Sequence, residues 1–462
     1  MFRSVRAVPT YSADWKGDYE EKAAEWFELF LDLMMVAVCS NVAHKLEAHL
    51  DGHGVANFLF MFSLYFATWQ LYTHYNARFN ESSLLHYVLL FGLLCGIGGM
   101  VLSSEPGNGF TFGLILTRLS VLGMYTNAVL LLPSTRPYLS YELGIIGAEL
   151  AALVVSLAVG THHGFIACYL VLLAVTFVVR PLVIVHRDAL HSAARIPLNI
   201  DHYSERFGCI VLVVLGEAVL NSIIKLDQKD HDGGDGVTAR FYATMVLSLL
   251  IVFALAIFYF GTQPPRELHA LRRSVYHGMG FSYIHYVLLA GLLAFGTAIT
   301  ILTEEASVYQ PMHAAQVWLL FGSLSVTMAS ILLIRLFHFG GRSVIATDML
   351  VVQRIKRIWW CFAFSAPVVP LVCAGAALAA AHDDGHLDPL AVLAVAFGSL
   401  SLMLVGEITI MAHLSSYKHG HVCSHTHNEA GEAIRGDIAS DDHEVHHHVE
   451  GDSPRATTFK SV

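Results

Sequence analysis

The chain has 462 residues, of which 55% are hydrophobic and only 14% charged, with a mean hydropathy of +0.56 and a formal net charge of −10. That balance excludes a soluble enzyme, and an acidic excess spread over loops and a tail argues against nucleic acid as a partner. Seven cysteines without regular spacing give no disulfide framework.

The apolar residues fall in blocks of about 20, the length that crosses the hydrocarbon core of a bilayer. Twelve spans are expected, near 27–47, 55–78, 84–104, 109–132, 138–159, 164–186, 207–225, 239–262, 280–303, 313–338, 358–381 and 388–413. Residues 1–24 are polar and read as a cytoplasmic segment rather than a cleavable signal. The expected class is an all-α integral membrane protein embedded in a lipid bilayer. Its spans divide into a repeat over 25–187, a polar linker over 188–204 containing Pro197, and a second repeat over 205–413. A His-rich tail over 414–462 completes the chain.

Most of the 27 Lys and Arg residues lie at the termini or beside the loops that follow even-numbered spans; Lys45, Lys225, Lys229 and Arg240 are the ones near the other face. By the positive-inside rule both termini are cytoplasmic. The opposite loops are short, acidic and His-bearing, as in His49–Gly54 and His382–His386.

The first span carries Glu28 and Asp32 in its opening turns, and carboxylates inside a membrane segment require a reason. The same helix returns 180 residues later. Glu25 matches Glu205, Phe27 matches Phe207 and Asn41 matches Asn221 without a gap. His86 to Leu94 in the third span returns as His285 to Leu293 in the ninth, differing only at Phe91 and Ala290. Six helices per half is an even number, so a duplication would relate parallel halves about an axis along the membrane normal, one of the arrangements transporters use. Duplication for structure alone is the competing reading.

Glu28-Leu29-Phe30-Leu31-Asp32-Leu33, Trp69 to Phe79, Glu205-Arg206-Phe207-Gly208 with Leu215-Gly216-Glu217, and Tyr283-Ile284-His285 together resemble the low-temperature-requirement A (LtrA) family of membrane proteins. The resemblance covers most of 25–340, fades through the last two spans and does not include the tail. It implies a multi-spanning membrane protein, and the family name records a growth phenotype rather than a reaction.

Two polar groups are expected. Near the cytoplasmic face, Glu28, Asp32, Tyr72, Tyr75, Arg78, Glu205 and Arg206 form a cluster in which Arg78 would neutralise Glu28 or Asp32. It reads either as a gate or as an ion pair that fixes helix packing. Near the bilayer centre, Glu217 lies 12 residues, hence about 18 Å, beyond Glu205. Asn221 follows on the same flank, and Glu149 and Arg118 reach comparable depth. A carboxylate buried without a cation favours its protonated form, which suits reversible protonation or cation binding; an Arg118 partner would keep it ionised. His86 and His285 read as packing residues.

The tail sequence with His419, His421, Cys423, His425 and His427 has ligand types for zinc or another transition metal but no fixed framework. No other cofactor is implied. No phosphate loop, nucleophile elbow or His-Glu-x-x-His zinc motif occurs. The expected function is transport of a small solute or cation, with coupling to a proton. A divalent-metal transporter, an intramembrane enzyme acting on lipid or isoprenoid, and a non-transporting sensor are the alternatives.

Overall fold

The computed structural model describes residues 5–12, 25–190, 196–231, 239–264, 268–308, 312–338, 349–384 and 387–424. Among them the chain is helical apart from one two-stranded pairing. Ten helices are long and apolar enough to cross a membrane, or eleven if the bent pair Leu350–Ser365 and Val368–Ala380 counts as one span. The protein is therefore a multi-pass membrane protein by length and composition. Contact clustering divides the chain into two compact units, residues 1–341 with 363–404 and residues 342–362 with 405–462. The buried polar groups described below belong to the first.

Helix α1 (Trp26–Ala48) starts at a capping box in which the Glu25 amide donates to the Glu28 carboxylate at 3.1 Å. Helix α2 (Gly52–Asn76) is capped by Asp51, which accepts from the Gly54 amide at 2.7 Å. From Met61 to Thr73 every residue of α2 is buried. Facing protein on all sides, α2 tolerates Ser63, Thr68, Gln70 and Thr73, and this polarity keeps it outside the set of ten. After α2 the chain turns into strand β2 (Phe79–Asn80), which pairs antiparallel with β1 (Thr10–Tyr11) near the amino terminus.

Helices α3 (Leu84–Ser103) and α4 (Asn108–Leu131) approach closely along a stripe of small residues, with Gly92 against Ser120 and Gly96 against Gly113 and Thr117. The turn after α3 places Ser104 in the left-handed region at φ 57°, where Asn41 of α1 donates to its hydroxyl at 2.7 Å and Lys45 donates to its carbonyl. Helix α5 (Arg136–Val159) ends at Gly160, whose φ of +63° suits a residue without Cβ and turns the chain straight into α6 (His162–Ala174). The sixth span then passes through a π turn (Val175–Val179) into α7 (Arg180–Leu190).

Helix α8 (Ile200–His231) begins five residues before the expected second repeat, because Asn199 caps it by accepting from the His202 amide at 3.1 Å. Helices α9 (Ala239–Phe260), α10 (Ala270–Arg273), α11 (Val275–Val308) and α12 (Ala314–Phe337) follow. Then come α13 (Leu350–Ser365), α14 (Val368–Asp384) and α15 (Pro389–Ser424). Helix α11 is the second central element: 83% of its most apolar window is buried, and it packs on α8 and α12.

Beside the α11 entry, His269 and His338 sit with ring centroids 4.6 Å apart, outside the spans. Burial holds His338 down to about 4, and burial with the neighbouring His338 and His285 rings holds His269 down to about 3. Unfolded imidazoles titrate near 6.5. Both folded values are depressed, so the stability they represent is complete above pH 6.5 and is lost as the pH falls towards 4. A melting-temperature profile taken downward through this window should fall, and His269→Asn, which keeps the cap on the Leu271 amide, should flatten it. An unchanged slope in that variant would mean that His269 takes up its proton in the folded state.

Candidate functional site

Several buried polar groups lie in the first unit among the described residues. The first joins α1, α2 and α8. Arg206 grips Asp32 with both terminal nitrogens at 2.6 and 2.7 Å, and Trp69 donates its indole N–H to the same carboxylate at 2.8 Å. One turn earlier, Glu28 accepts from Asn76 at 2.7 Å and lies 3.1 Å from His202 Nε2. Tyr72 is buried beside it, bonded to Asn76. His202 is fully buried, and its other ring nitrogen, Nδ1, has no hydrogen-bond partner.

This corrects the expected pairing. Arg78 neutralises neither Glu28 nor Asp32, because it follows α2 on the side of α5, where it lies beside Tyr138 and in the field of Glu142; it donates to the His74 carbonyl at 3.0 Å. Helix α8 packs directly on α1 and supplies Arg206 and His202 instead. Glu205 is exposed. Tyr75 belongs to another group, donating to Glu81 at 2.8 Å, which also accepts from Ser83 at 2.7 Å and Asn127 at 2.8 Å.

The second group joins α2, α4, α5 and the sixth span. Arg118 donates to Glu149 at 2.8 Å and to Thr68 at 2.8 Å. Thr176, within the π turn, donates to Glu149 at 3.0 Å. Arg180, directly after that turn, reaches Glu142 at 2.8 Å and Glu149 at 3.3 Å. Arg187 reaches Glu142 at 2.9 Å and the Tyr138 hydroxyl at 2.6 Å, with its guanidinium 3.6 Å over the Tyr138 ring. A π turn widens the helix by one residue and often marks functional sites; here it carries both Thr176 and Arg180 to one carboxylate.

The third group is small. Glu217 of α8 is buried, accepts from Asn221 at 3.0 Å through Oε1 and lies near Ser40 of α1. Its Oε2 is buried without a partner. The four residues expected together near the bilayer centre thus divide into two pairs, Glu217 with Asn221 and Glu149 with Arg118. No hydrogen bond or ion pair joins the pairs among the described residues.

Glu142, Arg180, Arg187 and His202 were not singled out from sequence. A signal existed for three of them. Glu142 and Glu149 are seven residues apart on one helix, Arg180 and Arg187 seven apart on the next, and a seven-residue step returns to the same helical face. His86 and His285 are buried as expected. His86 lies 3.8 Å from Glu81, and His285 bonds the Tyr259 hydroxyl at 3.1 Å and the Phe281 carbonyl at 2.7 Å. Of the tail residues, His425 and His427 lie outside the described residues, as do the side chains of His419, His421 and Cys423. Among the described residues no group of three or more His, Cys, Asp or Glu side chains is placed to hold a metal ion.

No curated protein matches the chain. The family model described as bacterial low temperature requirement A protein (LtrA) matches residues 23–382, which is most of the chain and stops short of the His-rich tail. A bundle of apolar helices with a buried ion pair between the first and eighth helices, and hydrogen bonds from the second, is the setting in which the Glu28 to Leu33 and Glu205 to Gly208 motifs sit, and the chain belongs to the LtrA family.

Proposed function

We propose that the protein moves a small solute or cation across the membrane and that Glu217 is the group that takes up and releases a proton or cation. One contrast carries this reading. Each of the other buried carboxylates among the described residues, Glu28, Asp32, Glu81, Glu142 and Glu149, has donors on both oxygens, whereas Glu217 has the Asn221 amide on Oε1, the Ser40 hydroxyl close by and no hydrogen bond on Oε2. A carboxylate kept for structure alone is paired, because an unpaired one costs several kcal/mol in low dielectric, on the order of the Born penalty after relaxation. One kept for reversible loading must be left open.

The architecture supports transport. Counting α2 as a span that faces only protein gives twelve spans, with both termini on the cytoplasmic side. One packing contact recurs at matching positions of the proposed halves. Gly92 on α3 faces the Ser120 hydroxyl on α4, and its sequence equivalent Gly291 on α11 faces the Thr327 hydroxyl on α12. Sites between repeats are where such proteins bind their cargo.

Carbodiimide reacts with protonated carboxyl groups in apolar surroundings, so it tests this reading without a known cargo. Labelling should concentrate on Glu217, fall as the pH rises, and be competed by the cation or solute that binds there. No labelling of Glu217 at acid pH would sink the proposal. The cargo would be sought by thermal shift against metals, amino acids, sugars and nucleosides, with a shift that vanishes in Glu217→Gln as the expected result. Repeating the screen on a chain ending at Ser416 separates any zinc or copper bound by the His-rich tail.

A further inference from the structure

Around Glu142 and Glu149 the protein gathers more positive than negative charge. Arg118, Arg180 and Arg187 are buried and ion-paired to these two carboxylates. Arg78 stands beside Tyr138 and in the field of Glu142. His74 lies in the field of Arg78, Arg180, Arg187 and Glu142 together, as does Tyr125, so these groups form one neighbourhood. Four guanidinium groups therefore share two carboxylates among the described residues, a surplus of two positive charges. Neither His74 nor the tyrosines relieve it, since neutral rings and phenols carry no negative charge.

A guanidinium cannot lose its proton to escape burial, as a lysine or a carboxylate can. Two of the forks are also incomplete. Arg180, only 7% exposed, spends its terminal nitrogens on Glu142 and Glu149, and its Nε–H is buried without an acceptor. Arg78 spends NH1 on the His74 carbonyl and also bonds the Tyr138 side chain, and its Nε–H is likewise buried without an acceptor. Arg78 as a whole is partly exposed at the end of α2, so the group is open to a ligand from that end. Fork-shaped donors with unused N–H groups and a surplus of two charges match a doubly charged oxyanion with several acceptor oxygens. A phosphate monoester or free phosphate has that charge near neutral pH.

We infer that Arg78, Arg180 and Arg187 form a binding site for a phosphate dianion, whether free or as the terminal phosphate of a lipid head group. The site is independent of Glu217 and of whether the chain transports a solute. Its ligand satisfies the open Nε–H groups of Arg78 and Arg180 and offsets the surplus charge.

The full-length protein in phosphatidylcholine nanodiscs would be titrated with inorganic phosphate against chloride at constant ionic strength, following the melting temperature. A parallel set of nanodiscs would contain phosphatidic acid, with native mass spectrometry to detect retained lipid. Arg78→Gln is the test variant, because Arg78 is not ion-paired at contact distance to either carboxylate. Loss of one charge-assisted fork should weaken binding about tenfold or more. Saturable stabilisation by phosphate that weakens in Arg78→Gln establishes a free-phosphate site. Stabilisation by phosphatidic acid alone, with lipid retention lost in the variant, assigns the site to the head group. Absence of both effects in the wild type, or equal effects in wild type and variant, overturns the inference. Should Arg78→Gln fail to fold, Arg78→Lys keeps the charge without the fork, and undiminished binding in that variant would overturn the inference as well.

Discussion

Arg206→Met is expected to lower the stability of the folded protein by about 3–5 kcal/mol, the usual cost of removing one partner from a buried ion pair. Asp32 is 2% exposed and Arg206 1% exposed, and the bidentate contact joins α1 to α8. Without the guanidinium, Asp32 keeps only the Trp69 indole as a side-chain donor and stays in the field of the Glu28 carboxylate. Adding Asp32→Asn should recover much of the loss, because an amide needs no counter-charge and can still accept from Trp69. Denaturant titration in mixed micelles would read both effects. A single-variant loss below about 1 kcal/mol, the range of exposed pairs, would show that water reaches Asp32.

Gly96→Ala carries the second large effect, despite adding only one methyl group. A Cβ at Gly96 would stand 2.6 Å from the Thr117 methyl, 2.8 Å from the Gly113 carbonyl and 2.9 Å from the Thr117 amide. Two of these three atoms are backbone, so no rotamer change removes the clash and α3 and α4 must move apart. Gly113 meets Gly96 and Met100 just as closely, which makes the contact reciprocal. Overpacking of this kind costs about 1–3 kcal/mol. Gly147→Ala on α5 is the control, since nothing lies within 4 Å of its added Cβ. There the substitution should be neutral or stabilising by about 0.5–1 kcal/mol through helix propensity. Equal losses at both positions would mean that the α3–α4 approach is looser than the packing described here.

Much of the bundle was legible in the residues. The long apolar blocks are local features, set by the residues of each segment alone. Helix α2, expected as a span over 55–78, falls outside the ten helices that are apolar enough. Hydropathy measures preference for lipid, and a helix surrounded by other helices is under no pressure to be apolar on every face.

The polar groups divide along the same line. That Glu28, Asp32, Glu149, Glu217 and Arg118 must be satisfied or functional follows from the cost of ionisable groups inside an apolar helix, and needs no coordinates. Which partner each one meets does not follow. Arg78 and Arg206 are equally plausible cations for Asp32 by depth, and the choice depends on α8 packing against α1. Arg118 could meet Glu149 or Glu217 by depth, and the closeness of α4 to α5 selects Glu149. The π turn that brings Thr176 and Arg180 to the same carboxylate adds a residue to one helical turn, which no residue pattern announces. By itself the sequence determined a membrane-embedded helical protein of the LtrA family and the set of buried charges. Only the tertiary structure decided the pairings that leave Glu217 open and Arg78 and Arg180 incompletely satisfied. Depth is a property of position along one helix, whereas pairing is a property of which helix faces which.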